Sequence, residues 1–286
     1  MAYIISTDSG ANLPDEIIKE KNIIMSPLTI QIDGVAKRLN SLSEFDGESF
    51  YKTIREKDVK TSTVNLQEFC EKWEPYLEKG LDILHISLSS GVSSSYQAAV
   101  MAADMLMEDY EDRKILVYDT HGAGLGEGMQ VLEACDYLDT GLDIEAAFEK
   151  LNERRDNVRQ IFTVDDLYYL KKGGRLSSAS AFVGSMLQIK PVLIGSEEGT
   201  IIAISKERGR KNALKAIIKE YEQKADKTCS NYVCINHILC DEDTQFLLDE
   251  IERITPGQKV LSVMFEPVMG SHVGPGSLAL FYRKAE

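Results

Sequence analysis

Closely spaced cysteine pairs are missing from this chain. Its five cysteines are odd in number, and none forms a CxxC pair. A disulfide framework or a zinc ribbon is therefore a poor fit. Cys229, Cys234 and Cys240 do lie near His237, but Cys234 sits inside the apolar run YVCINHIL, so buried thiols are expected there and no metal. Basic residues are also scarce. The 32 Lys and Arg face 46 Asp and Glu, a formal charge of −14. That argues against a general nucleic-acid binder, which carries a broad basic face, though not against a local basic patch. No apolar window approaches the length that spans a bilayer. The opening MAYIISTDSG lacks a basic segment ahead of an apolar run, so no signal peptide is expected and a reduced, cytoplasmic setting is. A GxSxG elbow is absent too. Gly122, Gly124, Gly126 and Gly128 follow a GxGxGxG spacing, not GxGxxG. A turn and close packing of a helix starting near Met129 explain that run better than a dinucleotide loop.

What the chain does have is length and apolar content. Its 286 residues, 43% hydrophobic, suit two cores better than one. Up to about residue 160, strand-like and helix-like runs alternate. This predicts an α/β domain over 1–160, with a parallel sheet covered by helices on both faces. Ile23–Ile32 reads as one strand and Leu66–Lys79 as a helix. The rest, 161–286, has a mixed α+β texture, with Ser180–Leu187 as a helix and 269–276 as a loop between strands.

The stretch Asp82–Ala103, DILHISLSSGVSSSYQAAVMAA, stands out. A buried strand over 82–88 runs into six serines and Gly91, and a helix follows from residue 96. A strand that ends in hydroxyls before a helix start makes an anion site, because the first helical turn has free N–H groups and a favourable dipole. Equally, one serine caps the helix and the rest are solvated. A second hydroxyl cluster, Thr61-Ser62-Thr63, precedes the helix at 66. Both clusters are expected at the carboxyl ends of strands, where open α/β sheets bind ligands. His85, inside the apolar strand, reads as a satisfied core residue. His121 is expected to face solvent. Arg175 reads as a turn arginine or a cation fixed at the mouth of a site, and His272 as a hydrogen-bonded loop histidine or a site residue.

Taken in order, several short motifs resemble the DegV family, the bacterial fatty-acid-binding proteins that include the FakB subunits of fatty acid kinase. They are IISTDSGANLP at the start, Lys60-Thr61-Ser62, Ser89-Ser90-Gly91-Val92-Ser93 with Tyr96-Gln97-Ala98-Ala99, and Tyr118-Asp119-Thr120. Leu170 to Arg175 (LKKGGR), Gln188-Ile189-Lys190-Pro191, Lys206 with Arg208-Gly209, and His272-Val273-Gly274-Pro275-Gly276 complete the set. Ser93-Ser94-Ser95-Tyr96 stands where the family commonly has Ser-Gly-Thr-Tyr. The resemblance implies a two-domain fold with a long-chain fatty acid at the domain junction and no cofactor. It implies that Thr61 and Ser93 meet the carboxyl group, that Ser62 and Ser95 flank them, and that Arg175 and His272 belong to the polar mouth. FakB-type members present the fatty acid to a separate ATP-using kinase subunit for acyl-phosphate formation, and have no catalytic residues of their own. Transient membrane contact through Lys171, Lys172 and Arg175 would fit such a carrier. Two alternatives stay open: a lipid carrier or sensor without a kinase, and a serine esterase using Ser93 with His272 as base.

Overall fold

A computed structural model describes residues 2–176, 189–228 and 232–285. The chain divides into two compact units. The first runs to Phe45 and resumes at Asp58–Arg155; the second takes Asp46–Lys57 and everything from Asp156 onward. The division expected at 160 falls inside a strand of the second unit, and is corrected to before Asp156.

In chain order the first unit begins with β1 (Tyr3–Asp8), α1 (Asp15–Glu20), β2 (Ile24–Ser26), β3 (Thr29–Ile32) and β4 (Val35–Arg38). The chain then contributes α2 (Gly47–Thr53) to the second unit. It returns with β5 (Val59–Ser62), α3 (Leu66–Leu77), β6 (Asp82–Ser87), α4 (Ser95–Asp109), β7 (Ile115–Asp119), α5 (Leu125–Asp139) and α6 (Ile144–Arg154). Strands in the order β2-β1-β6-β7 form an all-parallel sheet. Its two central strands, YIISTD and DILHIS, are buried along their whole length, as strands covered on both faces must be.

Register assigns the two faces. Ser6 pairs with His85 and His85 with Val117, while Thr7 pairs with Ile86 and Ile86 with Tyr118. Side chains alternate along a strand, so these rows look in opposite directions. The Ser6 row meets α3: the Trp73 indole N–H donates to Ser6 Oγ at 2.9 Å, and Phe69 and Trp73 pack on the His85 ring. The Thr7 row meets α5 and α6: the Tyr118 hydroxyl lies 2.7 Å from Gln130 Oε1 and 3.0 Å from the Leu151 carbonyl. The result is the expected three layers.

Three expectations change here. Pro27 interrupts the run 23–32, so β2 joins the parallel sheet and β3 leaves it for a small antiparallel sheet, β4-β3-β5. Thr61 and Ser62 therefore lie within the strand β5 of that sheet, with Thr63 just past its end, and not beyond the carboxyl end of a parallel strand. The glycine run opens α5 four residues earlier than expected, at Leu125. Close packing does explain Gly128, where a Cβ would stand 2.5 Å from the Ala11 carbonyl oxygen.

The second unit continues with β8 (Val158–Thr163), α7 (Tyr168–Lys172), β9 (Ile189–Gly195), β10 (Ile201–Arg208), α8 (Arg210–Lys224), β11 (Val233–His237), α9 (Asp241–Ile254), β12 (Val260–Met264), α10 (Pro267–Val273) and β13 (Leu278–Arg283). Its sheet runs β10-β9-β8-β13-β11-β12, antiparallel except for β11 with β12. Ile161, Ile194, Ile235 and Leu280 form one row of that sheet, buried against Leu214, Ile217, Leu247 and Ile251 of α8 and α9. Tyr51 ties α2 into this unit. Its buried hydroxyl lies 2.8 Å from the Phe265 carbonyl and 3.0 Å from that of Glu266. The stretch expected as a loop over 269–276 begins as α10, with Glu266 accepting the Val268 and Met269 N–H groups and Pro267 in the first turn. The helix expected over 180–187 lies outside the described residues. Cys70, Cys135 and Cys234 are buried free thiols, Cys240 is half-buried, and Cys229 lies outside the described residues. Among the described residues, no helix is long and apolar enough to cross a membrane.

His85 is half satisfied. Its Nδ1 lies 3.1 Å from Ser6 Oγ, and its Nε2 has no hydrogen-bond partner among the described residues. Burial pushes the imidazole down to about 3. The unfolded chain protonates this histidine near pH 6.5 and the native protein does not, so stability falls as pH drops below that value. The loss levels off near pH 3. We expect His85→Gln to flatten the pH dependence of unfolding by one proton, roughly 1.4 kcal/mol per pH unit between those limits. Denaturant titrations of both proteins across that range provide the measurement, and parallel slopes would refute the expectation.

Candidate functional site

The loop between β6 and α4 is built by satisfying its own main chain. Leu88 N–H donates to Asp8 Oδ2 at 3.2 Å, Ser89 N–H to the Gly122 carbonyl at 2.9 Å, and Ser90 N–H to Asp119 Oδ1 at 3.1 Å. Gly91 N–H reaches Ser89 Oγ, while Val92 and Ser93 N–H reach the Ser89 carbonyl. The first three acceptors stand at or just past the carboxyl end of a neighbouring strand, and the other two belong to Ser89 of the loop itself. Asp8 ends β1, Asp119 ends β7, and Gly122 follows β7. The loop is fixed by the sheet beneath it.

Ser93 emerges from this frame half-buried. Its hydroxyl donates to Ser95 Oγ at 3.0 Å and accepts the Ser95 N–H at 3.2 Å. Ser95 is fully buried and begins the 15-residue α4. The N–H groups of Tyr96 and Gln97, in the same first turn, donate to no other described residue. That turn is where a helix leaves donors free and favours negative charge. Ser94 precedes the helix at φ −87° and ψ 7°, a conformation open to any residue. The serine found where relatives commonly carry glycine thus imposes no backbone strain.

Thr61 and Ser62 occupy β5, directly opposite Ile30 and Thr29 of β3. Neighbours on a strand face opposite ways. Thr61 shares the face of buried Ile30 and is half-buried; Ser62 is exposed. His121, expected in solvent, is half-buried, with Nε2 3.6 Å from Asp119 Oδ2.

In the second unit, Arg175 and His272 come together through glycine. A Cβ on Gly173 would lie 2.1 Å from His272 Nδ1. The α10 imidazole therefore rests against the end of α7, at a point no side chain could share. Gly174 turns the chain at φ +72°, and the Arg175 guanidinium folds back to the Gly173 carbonyl at 2.5 Å. Burial draws the arginine below its usual value. Burial, then the nearby Arg175 charge, pushes His272 down to about 4, so the imidazole is neutral at pH 7. Lys171 and Lys172 are exposed beside them. Arg55, exposed, pairs with Asp166 at 3.1 Å and lies over the Tyr168 ring.

With this geometry in view, the comparisons are decisive about kinship. The profile of the DegV family, described as uncharacterised proteins, matches residues 3–285. This chain belongs to the DegV family. A DegV domain-containing protein of Clostridium perfringens is 35% identical over 281 residues, covering 98% of this chain and 97% of the relative. The crystal structure of DegV from Bacillus subtilis, described as a fatty acid binding protein, superposes with a TM-score of 0.87 at 28% identity over the full length of both chains. The fatty acid kinase B3 protein of Streptococcus pneumoniae, solved with linoleic acid, shares the fold at a TM-score of 0.85 and 23% identity over all of both chains. Kinship with other DegV proteins gives this chain the two-domain architecture seen above.

The sequence reading named the serines and the GGR turn but not the residues that hold them. Asp8 and Asp119 are the omissions. Both were visible as an acid closing a buried strand, the position from which a carboxylate reaches the next loop. The packing also makes a testable demand. Gly173→Ala should displace His272 and lower stability by about 1–3 kcal/mol, the usual cost of overpacking. Chemical denaturation measures this, and a loss of under about 0.5 kcal/mol would mean the two elements separate freely.

Proposed function

We propose that this DegV protein binds a long-chain fatty acid and presents it to a separate fatty acid kinase catalytic subunit. Ser93 and Thr61 hold the carboxyl group, flanked by Ser95 and Ser62. Arg175 and His272 serve the polar mouth where an acyl-phosphate forms, and the kinase supplies the catalytic groups. The protein works in the cytoplasm and touches membranes transiently through Lys171, Lys172 and Arg175.

The serine loop carries this reading. Its N–H groups from Leu88 to Ser93 are engaged within the protein, while the first-turn N–H groups of Tyr96 and Gln97 stand beside the half-buried Ser93 hydroxyl, which becomes a donor to a ligand once its proton turns away from Ser95. That set suits a carboxylate. Hydroxyls and main-chain N–H groups orient a carboxylate without a tight ion pair, which would blunt its nucleophilicity toward phosphorus. Relatives described as fatty-acid-binding supply the ligand class. Burying a tail of about a dozen methylenes gives roughly 10 kcal/mol gross, at about 0.8 each, before ordering costs. The tail dominates affinity and the serine loop dominates position.

An esterase reading fares worse, because the described partner of the Ser93 hydroxyl is Ser95, not an imidazole. Lipid extraction from the purified protein followed by mass spectrometry should return long-chain fatty acids. In a reconstituted kinase assay, Ser93→Ala with Thr61→Ala should lower acyl-phosphate formation by about 10- to 100-fold, the worth of one or two hydrogen bonds to a charged group. Fatty acid retention should fall much less. Unchanged turnover in the double variant would overturn the assignment. Retained lipid with no kinase dependence would favour a carrier or sensor.

A further inference from the structure

Seven residues make α10, too few to keep a helix in place by their own hydrogen bonds. Its position is set by what grips it. At its start the Glu266 side chain accepts the Val268 and Met269 N–H groups. From outside the helix comes Tyr51 of α2, whose hydroxyl donates toward the Phe265 and Glu266 carbonyls at 2.8 and 3.0 Å. Tyr51 is fully buried. Burial, and then the charge of Glu266, hold its phenol well above the ordinary value, so the donated proton stays on the tyrosine. The Phe265 N–H is engaged in turn by the His237 carbonyl at 3.1 Å. Tyr51 thus holds the main chain at the point where it turns from β12 into α10.

The same tyrosine closes one side of the helix. A Cβ on Gly270 would collide with the Tyr51 hydroxyl and with the ring carbons behind it. Two residues on, His272 lies about 200° further round a helix of 3.6 residues per turn, on the other side. There its ring rests on Gly173, where a Cβ would collide with the imidazole, and a Cβ on Gly274 would strike the Tyr169 ring. Tyr169 lies in α7 and Gly173 ends it. α10 is therefore held between Tyr51 and α7 by contacts that only glycine permits on both sides. Interiors packed this closely transmit displacement. Neither side leaves α10 room to shift unless Tyr51 or α7 moves too.

We infer that Tyr51 is the positioning residue of His272: by holding the Phe265 and Glu266 carbonyls and standing against Gly270, it presses α10 onto α7 and seats the imidazole on Gly173. The seating stands on packing within the second unit. Its consequence for turnover rests on the reading that gives His272 a part at the polar mouth.

Tyr51→Phe keeps the ring and removes the hydroxyl, and is the deciding variant. Gly270→Ala keeps the hydroxyl and drives it off the helix, and should act in the same direction. NMR titration of the imidazole in the intact protein reads the seat directly, with His272→Gln assigning the resonance. Burial and the Arg175 charge push His272 down to about 4 from its ordinary 6.5. In Tyr51→Phe it should titrate about one unit or more closer to the ordinary value, as the ring leaves its buried place. Ile251→Val is the control. Ile251 belongs to the core between the sheet, α8 and α9, so this change loosens the unit elsewhere and should leave the His272 titration where it is. In the reconstituted kinase assay Tyr51→Phe should lower turnover about tenfold, the worth of one buried hydrogen bond, with fatty acid retained. An unmoved His272 in Tyr51→Phe, the same shift in Ile251→Val, or a Tyr51→Phe protein that fails to fold would each overturn the inference. A shifted His272 with unchanged turnover would uphold the seating and instead remove His272 from the proposed function.

Discussion

Satisfying the main chain of the loop after β6 is the constraint on which the first unit depends. A parallel strand buried on both faces must hand its chain to a loop whose N–H groups leave the ladder together. Here the neighbouring strands receive them, through Asp8, Asp119 and the Gly122 carbonyl. These charge-assisted bonds reduce the cost of burying the Asp8 carboxyl, although burial still wins and pushes it up to about 6. What remains is a small set of donors at the helix start, held in place by the sheet.

The second unit solves a different problem by removing side chains. Gly173 lets the His272 ring lie against α7, and Gly274 and Gly276 meet Tyr169 and Asp165 at distances no Cβ would permit. A polar pair, Arg175 and His272, is thereby brought together on elements far apart in the chain. Its histidine is neutral because it is buried next to a cation. A neutral imidazole offers one donor and one acceptor, and so orients a polar group without adding a charge.

Much of this was legible in the residues. Runs rich in apolar residues, such as Tyr3–Ser6 and Ile83–Leu88, identified buried strands, and the alternation with helices gave the three layers. The serine cluster drew attention because hydroxyls between a strand and a helix start can hold an anion, and the GGR turn because it can fix a cation, although a cap and an ordinary turn read the same way in sequence. Other features could not be read there. Pro27 divides a run that periodicity alone reads as one strand, sending its halves to different sheets. Residues 46–57 carry no sign that they belong to the second unit, since their contacts there, the Tyr51 hydroxyl with the Phe265 and Glu266 carbonyls and Arg55 with Asp166, reach partners more than a hundred positions away. α10 was missed despite a legible start, Glu266-Pro267, because the glycines after it suggested a loop. A contact between the Thr7 hydroxyl and Glu127 spans 120 positions and has no local signature.

That excursion of Asp46–Lys57 sets an order on biosynthesis. The first unit contains no residue beyond Arg155, so every strand of its sheet has emerged from the ribosome before the second unit's first strand is complete. The segment carrying Tyr51 must wait much longer. Its acceptors, Phe265 and Glu266, are translated more than two hundred residues after it. Until then the helix-forming stretch with Phe50, Tyr51 and Ile54, all buried in the folded protein, lacks the acceptors of its tyrosine. The nascent chain therefore carries this apolar stretch without its tyrosine's partners while the intervening residues are made, and transiently exposed apolar surface is what makes a partly made chain prone to aggregate.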